Sequence, residues 1–249
     1  MIPKTLKSGA SFLINDVFLK PLGLRLSFSK GRHPWLDMKH WLGKRPVRCA
    51  VDGGAYLGDF SADIRRYFPS AQVYAFEPQK DSFRKLSERM KSLPQIHSFN
   101  YALGAASGQK ELYKTVSPLS HSLLQPTADG LLYFRDYHAP KGSETVTLIR
   151  LDDFLLKQKL PPPDILKLDL QGYELEALKG LGGFLSEVRL IYLEVSFVEI
   201  YQAGPLFCDV SQYLGASGFS LRQFYGLVTS PLDGRLLYGD AVFVNKKHL

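Results

Sequence analysis

Two periods alternate along the chain. Short apolar-rich runs at 47–51, 72–76, 96–99, 164–170 and 190–195 have strand length. Stretches with apolar residues three or four apart follow most of them: Phe60, Ile64, Tyr67 and Phe68; then Phe83, Leu86 and Met90; then Leu175, Leu178 and Leu181; then 210–216. Strands alternating with helices predict a parallel sheet covered on both faces. Near the end, 219–224 and 241–245 read as a closing antiparallel pair joined through a Pro231-Leu232-Asp233-Gly234 turn. The pattern therefore predicts an α/β fold with a seven-stranded, mostly parallel sheet and one antiparallel strand.

Weaker signals fill the gaps. Short strands are expected at 110–113 and 145–149, and helices at 36–42, 81–93 (with Asp81 as cap) and 152–156. Between 115 and 142 the pattern breaks at Pro118, Pro126, Gly130 and Pro140, which reads as an irregular, lid-like insertion. Ahead of the sheet, residues 1–46 form a basic extension to a domain spanning 47–249. There Leu6, Ala10, Leu13, Ile14, Val17 and Phe18 share one helical face. Such a helix could pack on the domain, join two copies in a homodimer, or lie on an anionic membrane surface.

The chemistry concentrates where strands end. Asp52-Gly53-Gly54-Ala55-Tyr56-Leu57-Gly58 follows the first strand and opens a helix, so a ligand can approach the backbone there. Read as Gly53-x-Ala55-x-x-Gly58, the turn nearly matches a dinucleotide fingerprint, and an NAD-dependent oxidoreductase is one reading. Asp52 argues against a pyrophosphate, because like charges at ~4 Å repel. A cationic ligand without phosphate, S-adenosylmethionine, suits the loop better. Glu77, before Pro78, ends the second strand at the spacing of a carboxylate that receives ribose hydroxyls. Asn100 and Ala102 follow the third strand, placed to meet an adenine ring.

Asp169 ends the strand that begins at Asp164 and points to the same edge as Asp52 and Glu77. It can serve as general base for a hydroxyl acceptor or bind the donor's ammonium. Glu174, Glu194 and, in the insertion, His121 are further base candidates; Glu174 and Glu194 can equally be structural, pairing with Lys167 or capping a helix. His138 is a weaker candidate base. A Mg²⁺ shared by Asp169 and a neighbouring acid is compatible with the sequence but not demanded by it. A fold retained only for binding, without turnover, is a third reading.

Charge narrows the partners. The net charge of +7 lies in the first 50 residues, with ten Lys or Arg against two acids, while the remainder is nearly neutral. No basic stripe on the body suggests nucleic-acid binding. No apolar run approaches the length of a transmembrane helix, no signal peptide is visible, and Cys49 and Cys208 form no disulfide framework, so a cytoplasmic location is expected.

The consecutive motifs Asp52–Ser61, Phe76-Glu77-Pro78, Ala102-Leu103-Gly104, Leu151-Asp152-Asp153 and Lys167–Gly180 resemble those of FkbM-type S-adenosylmethionine-dependent methyltransferases. The resemblance runs from about Val47 to Val195. It implies a class I methyltransferase (Rossmann-like) fold and O-methylation of a hydroxyl on a sugar, glycolipid, polyketide or similar small molecule. Many members carry Glu where this chain has Gln171, so a charge in that position is absent here.

Overall fold

A computed structural model describes residues 33–248. The helix expected near residues 6–18 lies outside the described residues. Along the chain the elements are α1 (Pro34–Leu42), β1 (Cys49–Gly53), α2 (Asp59–Tyr67), β2 (Gln72–Phe76), α3 (Lys80–Met90), β3 (Ile96–Phe99), β4 (Ala102–Leu103) and β5 (Gly108–Thr115). They continue with α4 (Ala128–His138), β6 (Pro140–Ile149), α5 (Leu151–Lys157), β7 (Ile165–Leu168), α6 (Glu174–Lys179), β8 (Leu190–Ser196), α7 (Phe207–Ala216), β9 (Phe219–Thr229) and β10 (Leu236–Asn245).

Seven strands form one sheet in the order β3-β2-β1-β7-β8-β10-β9. All run parallel except β10, which pairs antiparallel with both β8 and β9. This is the class I methyltransferase topology, and the expected α/β sheet with its single reversed strand is present. The order reverses between β1 and β7, and open α/β sheets bind ligands beyond the strand ends at such a switch point.

Period-two alternation decides what each face carries. Val51, Leu166, Leu168, Ile191, Leu193 and Phe243 enter the main core with residues of α5, α6 and α7. Each fully buried side chain of this size contributes about 1.5–3 kcal/mol. On the opposite face the in-register partners Asp52, Lys167 and Tyr192 form a polar row across three strands. At the other end of the strands, Asp164 and Arg189 pin the sheet edge: their side chains lie 2.9 Å apart, and Asp164 also accepts the amide protons of Arg48 and Cys49.

Three local expectations change. The cap of α3 is Gln79, whose side chain accepts from Ser82 N at 2.6 Å, whereas Asp81 lies in the first turn and pairs with Arg84. The strand expected at 145–149 begins at Pro140 and pairs antiparallel with β5, so β4, β6 and β5 make a second, three-stranded sheet. The stretch 115–142 is ordered rather than irregular: it holds a 3₁₀ turn at Pro118–Ser120 and α4. Its proline and glycine punctuation hides a helix that tertiary contacts support. Thr127 Oγ donates to the Glu199 carbonyl, and a Cβ on Gly130 would lie 2.2 Å from the Ile200 carbonyl oxygen, so α4 sits hard against that segment.

Candidate active site

The β1 turn is shaped by backbone conformations and contacts that exclude larger side chains. Gly54 has φ +71°, and a Cβ there would meet the Asp169 carbonyl oxygen at 1.9 Å. Gly58 precedes α2 with φ +83°, and its Cβ would press on Leu86 at 2.6 Å. Gly53 is squeezed between Leu168 and Leu103. Main-chain bonds then tie the turn to both neighbours: Gly54 N and Ala55 N donate to Phe76 O, and Asp169 N donates to Gly53 O.

Glu77 closes the turn from the β2 side. Its Oε2 accepts from Tyr56 N and its Oε1 from Gln79 N, both at 2.9 Å. Burial pushes its carboxyl up to about 7, against the opposing pull of those two amides and of Lys167. Each oxygen keeps a further lone pair for a ligand hydroxyl. Asn100 supports this corner from behind, donating from its amide nitrogen to the carbonyls of Glu77 and Pro78 at 2.9 Å. Gly54, Tyr56, Glu77, Pro78, Ala102 and Asp169 all line one cavity of about 640 Å³, together with Tyr101 and Leu103. Asn100, Asp52, Gly53 and Gly58 stand outside that lining.

Asp52 lies beneath the turn, fully buried. Its Oδ2 accepts from Ser61 Oγ at 2.6 Å. Its Oδ1 lies 3.2 Å from Lys167 Nζ, close enough for an ion pair but out of line for a hydrogen bond. Lys167 is the residue that sequence reasoning undervalued. Its ammonium donates to the carbonyls of Gly53 and Gly54 and lies 3.9 Å from Asp169. Burial alone would lower its pKa, but Asp52, Asp169 and Glu77 outweigh burial and hold it above the usual value. The sequence signal was a lysine inside an otherwise apolar strand, in register with a buried aspartate. Its partner is Asp52, not Glu174 or Glu194.

Asp169 and Gln171 also line a second cavity, of about 1120 Å³, with Glu194, Tyr201, His138 and Tyr238. Gln171 sits at φ +53° and bridges its neighbours. Its Nε2 donates to Asp169 at 2.8 Å and to Glu194 at 3.2 Å, and its Oε1 accepts from the Tyr201 hydroxyl at 2.7 Å. The amide thus separates two carboxylates with donors. Burial, reinforced by the charges of Asp169, Glu174 and Asp240, raises the Glu194 carboxyl well above its ordinary range. Glu174 is buried and turned inward, accepting from Leu170 N and Gly172 N, so it holds the β7 turn. Among the described residues no group of three or more His, Cys, Asp or Glu could hold a metal ion.

His121 lines the first cavity, with Nδ1 accepting from Thr115 N at 3.1 Å. Burial and then Lys114 lower its pKa. A neutral ring with Nδ1 occupied as acceptor carries its proton on Nε2 and offers a donor there.

The first cavity therefore presents two carboxylates, Glu77 and Asp169, and among its described lining residues no Lys or Arg. A pyrophosphate would find no counter-charge there, while a ligand carrying ribose hydroxyls and positive charge is complementary. Residues 52–221 match the family model described as the methyltransferase FkbM domain. The chain belongs to the FkbM methyltransferase family. The family brings with it the cofactor S-adenosylmethionine, and the charge and glycine geometry of the first cavity fit that group.

Among curated proteins, this FkbM chain is 29% identical over 126 residues to the hexuronic acid methyltransferase AglP of Haloferax volcanii, covering 50% of this chain and 47% of AglP. It is 28% identical over 171 residues to the 2-O-methyltransferase NoeI of Sinorhizobium fredii, covering 64% of this chain and 68% of NoeI. The chain thus spans about half the length of AglP. Among solved structures, the magnesium protoporphyrin IX methyltransferase of Synechocystis PCC 6803 with bound SAM aligns at TM-score 0.47 and 14% identity, covering 96% of this chain and 97% of that one. No helix among the described residues is long and apolar enough to cross a membrane.

Proposed function

We propose that the protein transfers a methyl group from S-adenosylmethionine to a hydroxyl of a sugar or similar polyhydroxylated small molecule. One observation carries this reading: Asp169 and Gln171 line both cavities, so a donor site and an acceptor site meet at Asp169. The cofactor, when bound, supplies an electrophilic methyl on a sulfonium. Glu77 receives the ribose hydroxyls, and Pro78, Tyr101, Ala102 and Leu103 enclose the adenine. Gly54 leaves room for the methionyl part beside the β7 turn. Asp52 and Lys167 stand outside the lining of the first cavity: Lys167 holds the Gly53 and Gly54 carbonyls in place, and Asp52 pairs with Lys167.

In the second cavity the chain aligns the acceptor and takes its proton. Asp169 is the proton acceptor in this reading. Its Oδ1 is fixed by Gln171 and its Oδ2 lies 3.9 Å from Lys167 Nζ, and the residue lines both cavities. Glu194, favoured in its neutral form, donates a hydrogen bond instead. The relative named for hexuronic acid methylation supports a sugar as acceptor, and the one named a 2-O-methyltransferase supports an oxygen as the methylated atom. Among the described residues no Lys or Arg lines the acceptor cavity, which favours an uncharged sugar over a uronic acid. Asp169→Asn keeps the Gln171 contact and removes the base; it should lower kcat by about 10²–10⁴-fold, the usual range for a positioned base, with donor affinity reduced less than tenfold. Unchanged turnover in that variant would refute the assignment.

A further inference from the structure

His138 ends α4 against the wall of the acceptor cavity. It is 5% exposed, and its Nδ1 is buried and has no hydrogen-bond partner among the described residues. Among the described residues the ring stacks on two others: its centroid lies 5.2 Å from Phe134 at 32° and 5.4 Å from Tyr201 at 26°. Native folds leave few buried polar atoms unpartnered, and each such atom weakens the fold and asks for an explanation.

The surroundings show what the ring can meet. Tyr201, which stacks on it, also donates to Gln171, so imidazole, tyrosine, amide and Asp169 form one continuous wall and floor. Phe134 and Tyr238 pack edge to face beside it, 5.6 Å apart. Burial pushes the imidazole down to about 4, so the ring is neutral at physiological pH. A neutral imidazole offers one donor and one acceptor, and a sugar hydroxyl can pair with either. Such a low basicity leaves it poorly suited to taking the reacting proton. An aromatic wall beside a polar floor suits a pyranose, whose C–H face packs on rings while its edge hydrogen-bonds.

Resting on the sugar reading above, we propose that His138 recognises the acceptor: the edge of its imidazole that borders the cavity hydrogen-bonds a sugar hydroxyl adjacent to the one methylated and so fixes which hydroxyl faces Asp169. The test uses the full chain and His138→Phe, which keeps ring volume and stacking and removes both nitrogens. Three readouts apply: thermal melting, S-adenosylhomocysteine binding, and methyl transfer from labelled S-adenosylmethionine to methyl β-D-glucopyranoside and N-acetylglucosamine. Losing an unpaired buried nitrogen should raise Tm by about 2–4 °C. Donor affinity should stay within about twofold, while the sugar KM rises about tenfold with a smaller change in kcat. His138→Asn should recover part of the KM. A lower Tm in His138→Phe would mean the nitrogen is paired within the fold, and an unchanged KM would remove the recognition role alone. Failure of donor-binding wild-type protein to methylate either sugar would contradict the sugar reading and this role with it.

Discussion

Glu77 ties donor affinity to pH. Its carboxyl is pushed up to about 7 by burial, the effect of two backbone amides and Lys167 being too small to cancel it. Ribose hydroxyls donate to the ionised form, so binding requires a proton to leave whenever Glu77 is neutral. With a pKa near 7, roughly one molecule in eleven is ionised at pH 6 and ten in eleven at pH 8. Affinity should therefore fall about tenfold between pH 8 and pH 6. Methylthioadenosine is the appropriate ligand, since it retains adenine and ribose but lacks an amine that titrates in this range. Equilibrium dialysis at half-unit steps gives the slope.

Glu77→Gln supplies the control. Its amide nitrogen would face either Tyr56 N or Gln79 N, donor against donor, which loosens the turn, and it would leave one ribose hydroxyl without its acceptor, an unmade bond at a buried site costing about 1–3 kcal/mol of binding. Affinity at pH 8 should drop about 5- to 150-fold, and the pH slope should vanish. A flat wild-type profile, or the same slope in Glu77→Gln, would refute the reasoning.

Other expectations are more local. Gly54→Ala places a Cβ 1.9 Å from the Asp169 carbonyl oxygen at φ +71°, so it should abolish donor binding and cost at least about 1–3 kcal/mol of stability, read by chemical denaturation. Lys167→Met strands the buried Asp52 and should destabilise by about 3–5 kcal/mol, with Asp52→Asn in the same chain restoring part of it. Glu77 and Glu174 both have folded-state pKa values raised to about 7 from 4.5. The folded chain then binds more protons than the unfolded one between those values, so their contribution makes stability fall as pH rises from about 5 to 7. Melting curves of ligand-free protein should show that fall, flattened in Glu174→Gln.

The sheet was legible because its parallel strands are apolar runs, two of them closed by glycine turns, and most runs are followed by a helical period. Glu77, Gly54 and Asp169 could be found for the same reason: they sit at strand ends, where topology fixes their direction. Less could be read about what each carboxylate touches. Asp52 looks like a ligand contact in sequence, but a lysine 115 residues away in the chain, in register on the next strand, occupies its free side. Glu174 is adjacent to the site in sequence, yet a tight turn folds it back on its own amides. The acceptor wall was least legible. His138 and Phe134 lie in a helix broken at Phe134, where φ −131° and ψ 31° leave the helical region, and its long-range contacts with residues 199–201 leave no periodic signature.

The most direct test of the account is calorimetric titration of S-adenosylhomocysteine and, separately, NAD into wild-type protein and Glu77→Ala at pH 8. Micromolar S-adenosylhomocysteine binding that is lost in Glu77→Ala, with no heat from NAD, is the predicted result. Binding of NAD, or S-adenosylhomocysteine binding untouched by the loss of Glu77, would contradict the assignment of the first cavity as the methyl-donor site.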